Sequence, residues 1–307
     1  MPFVTKKLHA PTRQKAVLFL IRELGLSQPE AQRLVAKGRL SQGGVVMSNQ
    51  MGFIEGDFDF ICFEPLSMGL SATFVTPDFA VYDKPSGVLV HPQSRRTAYS
   101  LNDEIKHRFG HNANVVHRID QETSGLVLAS RHKKSERILK MLFEDRHITK
   151  RYWAMVHGHL EHPMDIHEPL LRREDPSTLV RMVVKVHSEG KASRTFIKPL
   201  RYFPEHDMTL VEASPLTGRT HQIRVHLFHV KHPIVGDPIY GQEEVDVARF
   251  LDKELSLDER LQKSGATRLL LHAHALEFDY AKTSYHIVSQ EDFVATCFES
   301  MQISSIL

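Results

Sequence analysis

The stretch that decides the fold lies at residues 117–130 and reads HRIDQETSGLVLAS. An apolar pair at 115–116 precedes it and an apolar run occupies 126–129, and such runs are typical of buried strands. The polar residues between the two runs are therefore predicted to form a turn at the edge of a core. This turn carries the carboxylate of Asp120, and Gly125 follows at a position where another backbone or a ligand can approach closely.

Asp120 allows two interpretations. The first is a solvated carboxylate in a surface turn, where Asp is a common residue. The second is a nucleophile that a nearby positive charge, such as that of Arg118, keeps ionised. The residues of the turn alone leave both interpretations open.

The residues from His117 to Leu126 resemble the signature of the RluA-type pseudouridine synthases, HRLDxxTSGL, with Ile119 in place of the usual Leu. In that family the Asp is the catalytic nucleophile, so the resemblance implies that Asp120 attacks a uridine in RNA. The implied reaction breaks the N1 glycosidic bond and rejoins the uracil through C5, without a metal or another cofactor. Asp120 acts either at the ribose C1′ or as a base at C2′, and Arg118 fills the space that the flipped base leaves.

Length and composition point to a soluble protein of two domains, because 307 residues exceed one average domain. The formal net charge of +2 is close to neutral, so any basic surface must be local. Cys62 and Cys297, the latter in a strand-like C-terminal run, are too few for a disulfide framework, which suits the cytoplasm. No apolar run approaches the roughly 20 residues that span a bilayer. We expect a cytoplasmic monomer.

Residues 1–64 are predicted to form a separate module. Two short helices end at Gly25 and Gly38, and a small sheet follows. The order of these parts resembles the S4 RNA-binding domain, which implies that the module binds RNA. Residues 65–72 are the predicted linker and 73–307 the predicted catalytic domain. The basic residues of the module form either a solvated face or contacts to an RNA backbone, and they are Arg13, Lys15, Arg33, Lys37 and Arg39.

Further segments match the same family in the expected order. Residues 80–92 contain its Lys-Pro-Ser-Gly motif, predicted to be the turn of a hairpin that frames the site. Residues 150–158 alternate as a strand and resemble its KxYxAxVxG motif. Tyr152 is either a core residue or, as the resemblance implies, the ring that stacks on the target base and serves in proton transfer. In the RLxLHAxxL motif at 268–278, Leu271 is either a core residue or the apolar contact under the uracil.

Residues 214–228 are predicted to form a turn and then a helix that Thr220 caps. Arg219 and Arg224 lie before and within the first turns of this helix, where the helix dipole disfavours cations, so an anionic partner is expected. The segment resembles the family's LxTGRTHQIRVHL motif, and GDxxYG follows at 236–241. The resemblance implies that Arg224 pairs with the catalytic Asp. The predicted substrate-binding residues are Arg118, Leu271, Arg219 and His221.

A basic arm is predicted at residues 167–198, as a long hairpin. Its cations include Arg172, Arg173 and Arg181. They are either solvated or, as in the family, they grip an RNA stem. The predicted class is α+β: a mixed, mostly antiparallel sheet with flanking helices and a central catalytic cleft, plus the small S4-like module.

Other functions are less well supported by the sequence. A zinc hydrolase would need His226, His229 and His232 as ligands, but a spacing of three drifts by about 60° per step around a helix, and no HExxH motif or Cys pair accompanies them. A non-catalytic RNA-binding protein would be expected to have lost its Asp, Tyr and Arg positions, which are intact. The S4-like module favours large-subunit ribosomal RNA as the partner, and transfer RNA is the alternative.

Overall fold

The computed structural model describes residues 2–174, 180 and 182–302. The chain divides into two compact units, the first made of Met1–Met68 with Pro92–Asp103 and the second of Gly69–His91 with Glu104–Leu307. The exact boundaries of the predicted domains, 1–64 and 73–307, remain predictions. Residues 92–103, which we predicted in the catalytic domain, group with the first unit.

The first unit combines two helices with a four-stranded antiparallel sheet in the order β1-β4-β2-β3. Its elements are β1 (Phe3–Lys15), α1 (Ala16–Leu24), α2 (Gln28–Ala36), β2 (Leu40–Gln42), β3 (Val45–Met47) and β4 (Phe53–Phe63). The predicted end of α1 at Gly25 is confirmed, with φ at 64°. Helix α2 follows Ser27, whose backbone N–H and hydroxyl both donate to the Glu30 carboxylate at 3.3 and 2.7 Å.

Strand β1 was not predicted. It pairs with β4 from Phe3 opposite Phe63 to Lys15 opposite Phe53, with a register shift between Ala10 and Gln14. Only Ala10 among its residues is buried, so the strand is held by backbone hydrogen bonds rather than by an apolar face.

The remaining elements lie mainly in the second unit. In chain order they are β5 (Ala72–Val75), β6 (Phe79–Lys84), α3 (Leu101–Phe109), β7 (Asn114–Val115), β8 (Ser124–Ser130), α4 (Lys133–Glu144), β9 (Thr149–His157), β10 (Met164–Ile166), β11 (Leu170–Glu174), β12 (Met182–Val186), β13 (Thr195–Phe203), a 3-10 turn (Pro204–His206), β14 (Met208–Pro215), α5 (Gln222–His229), α6 (Glu244–Leu251), α7 (Leu257–Ser264), β15 (Leu271–Tyr280), β16 (Thr283–Val288) and α8 (Phe293–Ser300).

A ten-stranded sheet is the frame of this unit. Its strand order is β10-β13-β14-β9-β15-β8-β6-β5, with β16 beside β15 and β7 beside β8. The described pairings are antiparallel apart from β8 with β15, which is parallel. The predicted mixed, mostly antiparallel sheet with flanking helices is therefore confirmed. One apolar core packs α5 and α8 against β9, β13, β14 and β15, and another packs α4 against β6 and β8.

Three local predictions in this unit were wrong. The residues after Lys84 do not form a second strand, so the Lys-Pro-Ser-Gly motif is not the turn of a hairpin. Thr220 does not cap α5, because the helix begins one residue later than predicted, after His221 in a left-handed conformation with φ at 54°. The strand-like run around Cys297 is helix α8, since short apolar runs do not distinguish a strand from a buried helix.

A search of the described helices for a stretch long and apolar enough to cross a membrane finds none.

Candidate active site

The turn that carries Asp120 forms one wall of a cavity of about 760 Å³ in the second unit. The other walls come from the end of α4 and the start of β9, from residues 214–224, and from Leu271 on β15. The predicted catalytic and substrate-binding residues therefore meet in one place, although they come from distant parts of the chain.

A buried lysine holds the backbone of the Asp120 turn. The Lys84 ammonium is fully buried and donates to the carbonyl oxygens of Pro85, Val88 and Gln121 at 2.9, 2.8 and 3.0 Å. Each of its three N–H groups thus has an acceptor. The Ser86 hydroxyl donates to the next carbonyl of the turn at 2.6 Å. The Lys-Pro-Ser-Gly motif therefore stabilises the backbone of the Asp120 turn through hydrogen bonds to the carbonyls of Gln121 and Glu122. This specifies how the motif frames the site.

Gly125 lies where the turn enters β8, and its φ is 106°. A Cβ added there would lie 2.4 Å from the carbonyl oxygen of Ala273, on the parallel partner strand β15. Of the two close approaches that we expected at this glycine, the structure shows that of another backbone. This contact joins the strand after Asp120 to the strand that carries Leu271.

Arg224 is the cation nearest to Asp120. Its guanidinium is 2% exposed, and its Nη1 lies 3.5 Å from the Asp120 Oδ2. Its shorter bonds go to Asp237, with Nε and Nη2 each 2.7 Å from a carboxylate oxygen. Burial lowers the pKa of Arg224, but the carboxylates of Asp237 and Asp120 outweigh it and the net pKa is raised. The guanidinium therefore stays charged.

Asp237 and Tyr240 were not assigned a role from the sequence, although the GDxxYG motif contains both. The backbone N–H groups of Ile239 and Tyr240 donate to Asp237 Oδ1 at 2.9 and 3.0 Å, which fixes the carboxylate that holds Arg224. The Tyr240 ring lies 5.1 Å from the guanidinium carbon. The motif was the available signal, but all elements from β8 to α5 lie between Asp120 and Asp237 in the chain, so spacing alone could not connect them.

His221 approaches Asp120 from the start of α5. Its Nε2 lies 3.9 Å from the Asp120 Oδ2, and its Nδ1 shares a hydrogen bond of 2.9 Å with the Tyr240 hydroxyl. Burial, and then the nearby Arg224, lower the pKa of His221 to about 4, against the smaller opposing effects of the Asp120 and Asp237 carboxylates. The imidazole is therefore neutral near pH 7, and its contact with Asp120 is polar rather than ionic.

Tyr152 and Leu271 contribute to the apolar surface of the cavity. Tyr152 lies on β9 between Ala213 of β14 and Ala273 of β15, and Leu271 is 3% exposed. Burial and then the Asp120 charge raise the pKa of Tyr152, so the phenol stays neutral. A flat ring and an aliphatic side chain thus border the Asp120 carboxylate in the same cavity.

Arg118 and Arg219 also line the cavity, and both are exposed. The Arg219 Nε donates to the carbonyl of Ala192 at 3.2 Å. Arg173 lies on β11, next to the exposed Arg172, whereas Arg181 is outside the described residues.

The other predicted RNA-binding residues lie in the first unit. Arg33 and Lys37 are exposed on and just after α2. Arg39 is half-buried, with its guanidinium 4.4 Å from the centre of the Phe3 ring, and Arg13 lies 5.0 Å from that of Phe53. The side chains of Arg13 and Arg39 are thus partly used within the unit, while Arg33 and Lys37 remain available to a ligand.

Two of the three histidines of the zinc alternative have separate partners in the described part of the chain. The His226 Nδ1 is 2.9 Å from the Thr195 hydroxyl, and the His232 Nδ1 is 2.9 Å from the carbonyl of His157. The group of possible ligand atoms that the described residues do bring together is Asp83, His272 and Glu291. Arg268 lies 3.7 Å from Glu291 and already provides that group with a positive charge.

Comparison with known proteins gives a consistent result. A sequence model described as RNA pseudouridylate synthase matches residues 78–229. An uncharacterized RNA pseudouridine synthase of Helicobacter pylori is 38% identical over 289 residues, 94% of each chain. A ribosomal large subunit pseudouridine synthase C of Vibrio vulnificus is 31% identical over 88% of this chain and 81% of its own. The solved structure of Human RNA Pseudouridylate Synthase Domain Containing 1 is similar with a TM-score of 0.57 and 27% identity, over 76% of this chain and 89% of that one.

Proposed function

The chain belongs to the RNA pseudouridylate synthase family and is an RNA pseudouridine synthase, and we propose that Asp120 is the carboxylate that reacts with the target uridine in large-subunit ribosomal RNA. The observation that carries this proposal is the position of Asp120, in a cavity and 3.5 Å from the buried, charged Arg224. A permanent cation at that distance favours the ionised carboxylate that the chemistry requires.

The proposed reaction moves one bond and changes no oxidation state. The uracil leaves the ribose C1′ through N1, rotates, and forms a new bond from C5 to C1′. The C5 proton is then lost and N1 gains a proton, so the product is an isomer and no cofactor is needed. Asp120 either attacks C1′ to form a covalent intermediate or takes the C2′ proton, and both routes begin from the carboxylate.

The remaining cavity residues have proposed roles around the base. Tyr152 stacks on the uracil and Leu271 contacts its other face, which supports a base flipped out of the RNA. Because its pKa is raised, Tyr152 can donate a proton but is a poor base near pH 7. Arg118 is placed at the cavity rim, where it can occupy the space that the base leaves in the RNA.

Large-subunit ribosomal RNA is the proposed substrate because the relative in Vibrio vulnificus that covers most of this chain is named for it. The first unit is proposed to act as an S4-like RNA-binding module in which Arg33 and Lys37 contact phosphates. We propose the cytoplasm as the place of action, where the free thiols of Cys62 and Cys297 stay reduced.

Release of tritium from RNA labelled at uracil C5 tests the proposal directly, because the C5 hydrogen is lost only if C5 forms the new bond. The assay is run on transcripts of large-subunit ribosomal RNA and of transfer RNA in parallel. Release from the ribosomal transcript alone is expected, whereas release from transfer RNA alone would overturn the proposed target. Mapping pseudouridines in RNA from cells with and without the protein then locates the modified position.

A further inference from the structure

The charges that line the cavity do not balance. Its walls carry the cations Arg118, Arg146, Lys150, Arg219 and Arg224 but only two carboxylates, those of Asp120 and Glu144. Asp120 and Arg224 face each other, which leaves one acid for four cations. The cavity is therefore built for an anion that the protein itself does not supply.

Lys150 is the most enclosed of these four cations. It precedes Tyr152 by two residues on β9, so both side chains are on the same face of the strand, about 7 Å apart. Among the residues that the structure describes, none gives the Lys150 ammonium an ion pair. Burial and the neighbouring Arg146 lower the pKa of Lys150, so its charge is unfavourable until an anion arrives.

Arg146 stands where the backbone favours glycine. Helix α4 ends in a Schellman motif: the N–H of Arg146 donates to the carbonyl of Phe143 at 3.3 Å, and that of His147 to the carbonyl of Leu142 at 2.8 Å. In this motif Arg146 has a φ of 60°, a conformation that side chains with a Cβ rarely adopt. Arg146 lines the cavity and has no carboxylate partner among the described residues, so its charge is available to a ligand there.

We propose that Arg146 and Lys150 form a phosphate-binding subsite, which holds the RNA backbone next to the nucleotide whose base enters the cavity. The ligand class is a phosphodiester, and the subsite lies on the wall formed by the end of α4 and the start of β9. This inference rests on the proposed function, since it assigns the backbone of the same substrate. Such contacts fix the position of the RNA but do not read its sequence.

The test uses the full-length protein and a synthetic stem-loop RNA that the wild type modifies. Arg146→Gly removes the charge and also relieves the backbone conformation, so thermal stability is expected to stay or rise. RNA affinity is expected to fall by about tenfold. The slope of log affinity against log salt should become less steep by about 0.7–0.9 unit, the value for one phosphate contact. Lys150→Met should change the slope in the same direction.

Lys253→Gly is the matched control. Lys253 follows α6 in the same motif, with a φ of 63° and the corresponding bonds from its own N–H to Phe250 and from the N–H of Glu254 to Arg249. It is exposed and does not line the cavity. The control therefore removes one charge from the same backbone conformation, and its salt slope should equal that of the wild type.

The phosphate itself is identified by replacing single linkages of the stem-loop with uncharged methylphosphonates. One linkage beside the target uridine should weaken wild-type binding and leave binding by the double variant Arg146→Gly, Lys150→Met unchanged, because both contacts are already absent. A wild-type salt slope in Arg146→Gly and Lys150→Met would overturn the subsite. Failure of the wild type to release tritium would instead overturn the proposed function, so the two failures are distinguishable.

Discussion

Arg224 and Arg146 are two cations of the same cavity, and the protein fixes them in opposite ways. Arg224 is buried, held by two bonds of 2.7 Å to Asp237, and directed at Asp120. Arg146 is exposed at the rim, in a strained backbone conformation and without a described ion-pair partner. The charge of Arg224 is therefore already paired within the protein before RNA binds, so the centre is preorganised. The charge of Arg146 at the rim is proposed to be paired only by a phosphate of the bound RNA.

Asp120→Asn makes the sharpest test of the centre. Asn has the same shape but cannot act as an anionic nucleophile or base, so tritium release should fall by about a thousandfold or more. Folding and RNA affinity should stay close to the wild type, because the phosphate contacts at the rim are intact. Activity within about tenfold of the wild type would contradict the assignment of Asp120.

Arg224→Met should remove most of the activity and also destabilise the protein. The substitution leaves Asp237 buried without its cation, and breaking a buried pair in this way costs about 3–5 kcal/mol. Urea unfolding measures that cost. Arg194→Met is the matched control, since Arg194 bonds Asp165 through the same two atoms at 3.0 and 2.7 Å but on the surface. The loss of unfolding free energy in Arg194→Met should be close to the measurement error. Equal losses in the two variants would contradict a stabilising role for the buried Arg224–Asp237 pair.

The free energy of unfolding should fall in acid because of two partly buried histidines that line the cavity. Burial lowers the pKa of His117 to about 3 and that of His221 to about 4, both below the ordinary value of 6.5. Below pH 6.5 the unfolded chain binds protons at these sites and the folded chain does not, so stability is full above pH 6.5 and is lost as the pH falls towards the folded pKa. The loss approaches about 1.4 kcal/mol per pH unit for each histidine.

His117→Gln provides the corresponding comparison. The His117 Nε2 accepts the backbone N–H of Leu128, and a glutamine can keep an acceptor there without titrating. Unfolding free energies of the two proteins between pH 6.5 and 4 should therefore diverge, with a shallower acid loss in the variant. Parallel curves would show that His117 is charged in the folded protein.

The smallest effect is expected in the first unit, from Arg33→Gln combined with Lys37→Gln. If these residues contact phosphates, the salt slope should become less steep by about 0.7–0.9 unit for each contact, with kcat unchanged. Point variants are preferable to deleting residues 1–64, because Arg95 donates to the carbonyls of Lys37 and Gly38 and would lose both acceptors. An unchanged slope would contradict an RNA-binding role for the unit.

Periodicity and capping in the sequence were enough to predict α1, β8 and β9, because each of these elements has an apolar face or an identifiable end. They were not enough for β1. This strand contains Pro11 and several charged residues, lacks an apolar face, and is stabilised by backbone hydrogen bonds to β4. The same limit applies to the site. Asp120, Tyr152 and Arg224 were proposed from motifs, whereas the roles of Lys84 and Asp237 depend on contacts between residues distant in sequence.

The chain passes between its two units three times, after Met68, after His91 and after Asp103. When the ribosome has released the first 68 residues, the first unit still lacks the segment 92–103, so it cannot be completed before synthesis of the second unit is under way. The same topology constrains evolution. A recombination that transfers only the N-terminal 68 residues to another gene would leave the segment 92–103 of the same unit behind.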